Sequence, residues 1–494
     1  MTALGSEEGR GAAPRILVNG ATKTLADVPA TMTLLDWLRE HERLCGTKEG
    51  CAEGDCGACT VILEREGPDG EIRRDAINAC LTMVGQVDGS GIRTIEGLAP
   101  LGGPLHPVQS AFAAGGGTQC GFCTPGFVMS AYAYAREKGP VNVADMHDAL
   151  AGNLCRCTGY RPIVDAVKSV APLEADPVAR FDTDLVDSLR AIARDDDACF
   201  TEGGGQFHVP RSLAAAAILR ARHPAALLLA GGTDLGLLAS RERQPPAQII
   251  HLAGMPELNV LEDSGAYIAI GAAVTYARAL PLLCEHYPAL RTYLTRLGSR
   301  QTRNMGTIGG NLGTASPIGD FLPVLLALDA KLVLFSSRGG RRHLDAANFF
   351  LGYRKTALAE DELIEAIHLP KPAPTSLFFA DKISKRRDQD ISSVCAAYRL
   401  EIADGLVGAI RIAFGGLAAT PKRALAVERV LLGRRLDEAT LAEAEGALGS
   451  DFTPLSDWRG SAAYRLAVAG NLLHRLRLRA TQPEVPAELD ALCP

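Results

Sequence analysis

The sequence predicts a multidomain α+β protein, and three observations carry that prediction. Its 494 residues suffice for about three domains at roughly 150 residues each. Nine of its 13 cysteines lie between Cys45 and Cys157, so the front third has a chemistry the remainder lacks. The texture also changes twice, from paired strands to helices near His106 and back to mixed strands and helices beyond Phe207. The reading gives a small strand-rich domain over 14–95, a helical domain over 96–171 and a linker over 172–205. An α+β domain over 206–373 and a closing α+β domain over 374–490 complete it.

From Arg15 to Leu25 the chain reads as a hairpin, because Asn19-Gly20 tolerates the positive φ of a tight turn between apolar runs. Leu34, Leu35 and Leu38 then recur at helical spacing behind Thr33, an expected N-cap. A glycine-rich cysteine loop and a second hairpin around GPDG complete a β-grasp-like domain. Four helical pieces follow, PVQSAFAA, TPGFVMSAYAYAREKG, VADMHDALAGNLCR and RPIVDAVKSVA, expected as a bundle with cysteines at helix ends. The stretch 172–205 is polar and shows little periodicity, hence the linker. Beyond it, AALLLAGGTD reads as a strand entering a glycine loop, QIIHLAG, AYIAIGAAVTY and KLVLFSS as strands, and the span from ISSVCAAYRLEIADG to AIRIAFGGL as a long hairpin.

The composition, 47% hydrophobic and 22% charged, is that of a globular chain with large cores, and the net charge of -6 lacks the basic excess nucleic-acid binding requires. No secretory leader and no apolar run of about 18 residues is present, so a cytoplasmic protein without membrane contact is expected. In a reducing compartment 13 thiols do not form a disulfide framework, so their spacing carries the information. Cys45 is read as a spare thiol, and His106, His147 and His208 as core or surface residues.

Cys51, Cys56 and Cys59 stand as C-x4-C-x2-C with Cys80 beyond a hairpin, the spacing by which plant-type ferredoxins hold a 2Fe-2S cluster. Such a cluster is anionic and needs backbone N–H donors around its sulfurs, which Gly50, Gly54 and Gly57 let the chain supply. Cys120 and Cys123, then Cys155 and Cys157, form C-x2-C followed by C-x-C. That pairing suits two bonds to one iron better than a tetrahedral zinc corner. The four thiolates are expected to converge in the bundle core. A structural zinc site is the alternative for both sets.

KEGCAEGDCGACT, CGFCTPG and NLCRCTGYRPI together resemble the iron–sulfur part of the molybdenum hydroxylases, the xanthine dehydrogenase and aldehyde oxidase family. The resemblance implies a ferredoxin-like domain with one 2Fe-2S cluster on Cys51, Cys56, Cys59 and Cys80. It implies a second cluster on Cys120, Cys123, Cys155 and Cys157 in the helical domain, with Gln119 touching a molybdopterin cofactor.

Two further segments extend the likeness. Gly231, Gly232 and Thr233 follow an apolar strand, and RNMGTIGGNLGTASPIGDFLP is so rich in small and hydroxyl residues that it reads as a loop laid against a ligand. Neither has the G-x-G-x-x-G of a Rossmann fold. Both resemble the family's FAD domain, of the vanillyl-alcohol oxidase and MurB type. The resemblance implies FAD contacts at Leu228, Leu229, Ala230, Gly231, Gly232, Thr233, Asp234 and Leu235, and at Thr307, Ile308, Gly309, Gly310 and Asn311. Asp320, Ile364 and Lys382 are further contacts. Leu297 takes the place where vertebrate relatives carry a phenylalanine over the flavin. Tyr353 and the loop around Arg386 and Arg387 resemble segments near the flavin and the NAD entrance.

Two one-electron centres beside a flavin describe a wire ending in a converter, because NAD accepts a hydride. The resemblance implies an electron-transfer chain that serves a large molybdopterin-binding subunit, in a heterotetramer of two small and two large chains, and delivers electrons to NAD while xanthine or hypoxanthine is oxidised to urate. The same role in an aldehyde or N-heterocycle dehydrogenase, and a zinc-bound scaffold without enzymatic activity, are the other readings.

Overall fold

Asn19 (φ 51°) and Gly20 (φ 87°) turn the first hairpin as their sequence demands, pairing Val18 with Ala21. The computed structural model describes residues 13–485 apart from 68, 100, 101, 138 and 139. Pro68 of the GPDG turn, Cys493 and residues 486–490 of the closing segment lie outside the described residues. The chain divides into two units, one of residues up to 256 with 298–306, the other of 257–297 with 307 onward. The division falls inside the segment read as a single domain over 206–373.

In the first unit, five strands order as Ala21–Thr24, Arg15–Val18, Gly91–Arg93, Thr60–Glu66 and Ile72–Asn78. Arg15–Val18 runs parallel to Gly91–Arg93 and the other neighbours pair antiparallel. Helix Leu34–Glu40 covers this sheet with Leu34, Trp37 and Leu38 buried on Ile16, Val61 and Ile77. Its first turn is capped by Thr33, whose Oγ1 accepts the Asp36 N–H at 3.0 Å. The four expected helices form as Pro107–Ala114, Thr124–Ala135, Val143–Leu150 and Arg161–Lys168. Their core of Phe112, Phe127, Met129, Tyr132 and Ile163 continues into Ile62 and Ala76 of the sheet, so the two cysteine-bearing domains share one apolar interior.

The stretch expected as a linker departs from that reading. It contains helix Asp182–Ile192, whose Leu185, Leu189 and Ile192 pack on Leu17. Three apolar residues at helical spacing are enough for one buried stripe, and the surrounding aspartates and arginines concealed it. The aspartates have partners. Asp182 accepts from Arg74 at 2.5 and 3.1 Å, and Arg74 and Arg93 both bond the buried Glu64. Asp176 pairs with Arg136 and accepts from Tyr132 Oη at 3.1 Å, with His106 Nε2 at 3.2 Å. The segment is a strap across the strand-rich and helical domains.

His106 is buried, and its Nδ1 accepts the Val108 N–H at 3.2 Å. Burial, with nearby Arg136, depresses its pKa to about 4. The unfolded imidazole titrates near 6.5, so below that pH the unfolded chain binds the extra proton and stability is lost as pH falls from about 6.5 to about 4. Urea midpoints measured across that window should decline in the parent chain and decline less in His106→Gln. Parallel declines would contradict this account.

The unit also holds the four-stranded sheet Ala198–Phe200, Gln206–Val209, Gln248–His251 and Leu227–Leu229, flanked by helix Leu213–Arg222. In the second unit, strands order as Leu261–Ser264, Tyr267–Gly271, Glu362–Pro370, Lys331–Ser336 and Gly340–Asp345. The closing part is an antiparallel sheet of Ser376–Ile383, Val394–Ala403, Leu406–Gly415 and Lys422–Arg423, packed on helices Leu425–Leu431, Glu438–Asp451 and Ala462–Thr481. The last helix eluded the sequence reading because Arg475, Arg477 and Arg479 interleave with its buried Leu472, Leu473 and Leu476. Among the described residues no helix is long and apolar enough to cross a membrane.

Candidate functional site

The cysteine loop after Gly50 is shaped by residues in the left-handed region, Ala52 (φ 54°), Gly54 (φ 76°) and Gly57 (φ 65°). This curls the backbone so that the N–H groups of Glu53, Asp55 and Cys56 point at Cys51 Sγ at 3.4, 3.3 and 3.3 Å, while the Cys51 N–H reaches Cys56 Sγ at 3.3 Å. Gly50 is obligatory here, since a Cβ would stand 2.7 Å from Cys56 Sγ. The sulfurs pair, Cys51 with Cys56 and Cys59 with Cys80, and Cys51 acts electrostatically on both members of the second pair. The hydrogen bond from Cys56 and then the surrounding amides hold the Cys51 thiol at about 5, against burial. The same thiol–thiol bonds push Cys56 and Cys80 upward. Cys45 stands apart and exposed.

The second set also assembles in pairs, Cys120 with Cys157 and Cys123 with Cys155. Cys155 Sγ lies 3.1 Å from Thr158 Oγ1 and accepts the Thr158 N–H at 3.4 Å. Tyr160, at φ 66°, turns its hydroxyl back to accept the Cys155 N–H at 3.1 Å. Burial first, then the bond to Cys155, raises the Cys123 thiol to about 12. The expectation of a site inside the bundle core is corrected. Cys155 is buried, but Cys120 and Cys157 are exposed, because the C-x2-C lies in the turn before helix Thr124–Ala135 and the C-x-C in the loop between two helices. Gln119 is exposed directly before Cys120. Each set offers four thiols with amide or hydroxyl donors, the donor chemistry of an iron–sulfur cluster. Among the described residues no three His, Cys, Asp or Glu side chains are placed to hold a single metal ion.

In the first unit, strand Leu227–Leu229 delivers the glycine loop to the short helix Gly236–Ala239. A Cβ on Gly231 would lie 2.0 Å from the Met305 carbonyl oxygen, and Gly232 (φ 77°) passes so close to Gln86 that its Cβ would meet Nε2 at 2.6 Å. Only glycine fits either place. Leu229 is buried, Leu228, Ala230, Thr233 and Leu235 are half-buried and Asp234 is exposed.

In the second unit, the stretch read as a loop laid against a ligand is helical instead. Thr307 Oγ1 accepts the Gly310 N–H at 2.9 Å and caps helix Ile308–Thr314, and Gly309 is pressed against Ala272. Small residues here permit close backbone packing, a possibility the composition argument overlooked. The fit to a polar ligand survives in a different form, because Asn311 Oδ1 and the Tyr276 hydroxyl are buried with no hydrogen-bond partner among the described residues.

Asp320 and Lys382, 7% and 5% exposed, form a buried ion pair of 2.6 Å. Asp320 also accepts from Ser392 Oγ at 2.5 Å, and its carbonyl accepts from Tyr293 Oη at 2.5 Å. Ile364 is buried on strand Glu362–Pro370, and Leu297 is half-buried. Arg296, which no local motif marks, donates to the carbonyls of Lys382 and Arg387 at 2.8 and 3.0 Å and thereby organises the loop at Arg386. Tyr353 is exposed. Tyr276, Tyr293 and Ser392 were likewise not foreseen, since no local motif announces them.

Comparison with known proteins agrees with this order of parts. Residues 16–85 match the family model of a 2Fe-2S iron–sulfur cluster binding domain, and 94–168 that of a [2Fe-2S] binding domain. Residues 201–372 match the FAD binding domain in molybdopterin dehydrogenase, and 379–480 the CO dehydrogenase flavoprotein C-terminal domain. These parts define an iron–sulfur flavoprotein. Xanthine dehydrogenase of Drosophila pseudoobscura pseudoobscura is 33% identical across 93% of this chain and 39% of its own length. Xanthine dehydrogenase 1 of Arabidopsis thaliana is 33% identical across 90% of this chain and 38% of its own.

Among solved structures, a carbon monoxide dehydrogenase chain from Hydrogenophaga pseudoflava is 30% identical with a TM-score of 0.52, covering 55% of this chain and 94% of that one. A chain of quinoline 2-oxidoreductase from Pseudomonas putida 86 gives 29% and 0.52, covering 56% and 96%. The chain belongs to the molybdenum hydroxylase family, as its FAD and iron–sulfur portion, and its role is electron transfer through two 2Fe-2S domains and FAD. It spans about two fifths of the length of the curated xanthine dehydrogenases it matches.

Proposed function

We propose that this chain takes electrons from a molybdopterin-bearing partner that oxidises xanthine or hypoxanthine, and delivers them to NAD. The observation that carries the wire is the folding of eight cysteines into two separate four-thiol sets ringed by donors. Similarity to xanthine dehydrogenases over most of the chain supports the purine substrate. In this reading Cys51, Cys56, Cys59 and Cys80 hold one cluster, Cys120, Cys123, Cys155 and Cys157 the other, and Gln119 meets the partner's cofactor. Bound FAD supplies the exchange between single electrons and a hydride. Residues 228–235 and 307–311, with Leu297, Asp320, Ile364 and Lys382, are its proposed contacts. We assign the assembly two small and two large chains and a cytoplasmic location, where thiols stay reduced for metal ligation.

Iron, sulfide and flavin analysis of the purified chain, with low-temperature electron paramagnetic resonance after reduction, tests the wire. Two distinct signals are expected, whereas a colourless zinc protein would sink the reading. Activity of the co-purified partner on xanthine against aldehydes and N-heterocycles tests the substrate, and NAD against oxygen as oxidant tests the acceptor. Gly231→Ala is expected to drive a methyl group into the Met305 carbonyl at a cost of about 1–3 kcal/mol. It should strip flavin absorbance while leaving both iron signals. Full flavin content in that variant would remove the 228–235 loop from the site.

A further inference from the structure

Three glycines let the two cysteine loops meet backbone to backbone. A Cβ on Gly126 would lie 2.2 Å from the Gly57 carbonyl oxygen, one on Gly57 would lie 2.2 Å from that of Gly152, and one on Gly152 would lie 2.1 Å from Gln301 Oε1. At this seam the Leu154 N–H donates to the Cys56 carbonyl at 2.9 Å. The residue before Cys155 is thus hydrogen-bonded to a cysteine of the other set.

Around that bond lies a buried polar network, with Thr60, Ser130, Asn153 and Gln301 each at most 2% exposed. Gln301 Nε2 lies 3.0 Å from both Asn153 Oδ1 and Ser130 Oγ and 3.3 Å from Thr60 Oγ1, and shares its two N–H groups among them. Asn153 Nδ2 donates to the Gly57 carbonyl at 3.0 Å, and Ser130 Oγ donates to Asn153 Oδ1 at 2.6 Å. Gln301 comes from neither cysteine domain. It sits on helix Arg300–Met305, within the stretch that matches the FAD-binding model. On this helix Arg300 and Arg303 bond Asp148, and Asn304 Nδ2 donates to the Ala76 carbonyl at 2.8 Å.

We infer that Gln301 is a positioning residue for electron passage between the two cysteine sets, fixing their separation by holding the Cys56–Leu154 contact. The inference rests on the electron-transfer reading above. With a 2Fe-2S cluster held on each set, the step would move one electron from one cluster to the other, oxidising the donor and reducing the acceptor by one each, with no proton transferred and no bond formed or broken. A buried amide is suited to this task, because its N–H bonds are directional and admit fewer arrangements than apolar packing does, while its Oε1 is buried with no hydrogen-bond partner among the described residues.

The test is Gln301→Leu in the full chain. Both spin-resonance signals should persist with full iron, while the rate of electron passage between the sets after rapid reduction falls about tenfold, as small displacements of preorganised groups do. The magnetic interaction between the two signals should weaken, and the Leu154 amide should exchange with deuterium faster. A purely structural role would lower the melting temperature yet leave rate, magnetic interaction and Leu154 protection at parent values in the folded variant, which would overturn the inference. Should Gln301→Leu fail to fold, Ser130→Ala removes two bonds of the network, one of them to Gln301, and should show the same changes in smaller measure. Unchanged rate and protection there would overturn it equally. A parent chain with neither signal would instead overturn the electron-transfer reading, and the inference with it.

Discussion

Cys155→Ser is expected to lose about half of the bound iron and one of the two spin-resonance signals, with flavin retained, because each set is proposed to hold two irons. The sulfur at this position is buried and accepts from Thr158, so its surroundings are built for a soft, anionic donor. A serine oxygen is harder and more basic, and it leaves the donors around it aimed at a smaller atom. Cys56→Ser should delete the other signal instead, since its sulfur accepts the Cys51 N–H and pairs with Cys51. In both variants dye reduction driven by the proposed molybdopterin partner should stop, as the two sets are proposed to act in series. Loss of both signals in either variant would mean that the sets do not load independently. Loss of neither would remove these residues from the ligand list.

The second large effect is expected at Lys382. Its ammonium is buried against Asp320, and Ser392 takes the second carboxylate oxygen. Lys382→Met leaves that carboxylate dry and unpaired, at a cost of about 3–5 kcal/mol. The double variant Lys382→Met with Asp320→Asn removes both charges and should recover most of that loss, since an uncompensated charge costs more than the pair is worth. Urea denaturation gives the stabilities, and bound flavin per chain reports on the site. A single variant within about 1 kcal/mol of the parent would contradict the account of Asp320 as a buried charge satisfied by Lys382.

The legible parts of the chain were those whose chemistry is local. The hairpin at Asn19-Gly20, the cap at Thr33 and the cysteine spacings each depend on a few neighbouring residues, and all appear where the sequence put them. The strap at 172–205 was misread because its helix buries only Leu185, Leu189 and Ile192, and its aspartates are answered by arginines elsewhere in the chain. The segment from Thr307 was misread because small residues serve tight packing as readily as ligand approach.

Spacing along the chain grouped the eight cysteines into two sets, since such spacing is a short-range requirement, and the resemblance to the family implied that a flavin-type domain follows. Only the tertiary structure decided that Asp320 is neutralised by a lysine 62 residues away, that Cys120 and Cys157 lie at the surface, and that Gln301, far along the chain from either cysteine set, enters the seam between the cysteine loops. Those outcomes depend on burial, which sets the cost of every unpaired charge and amide and is a property of the packed interior.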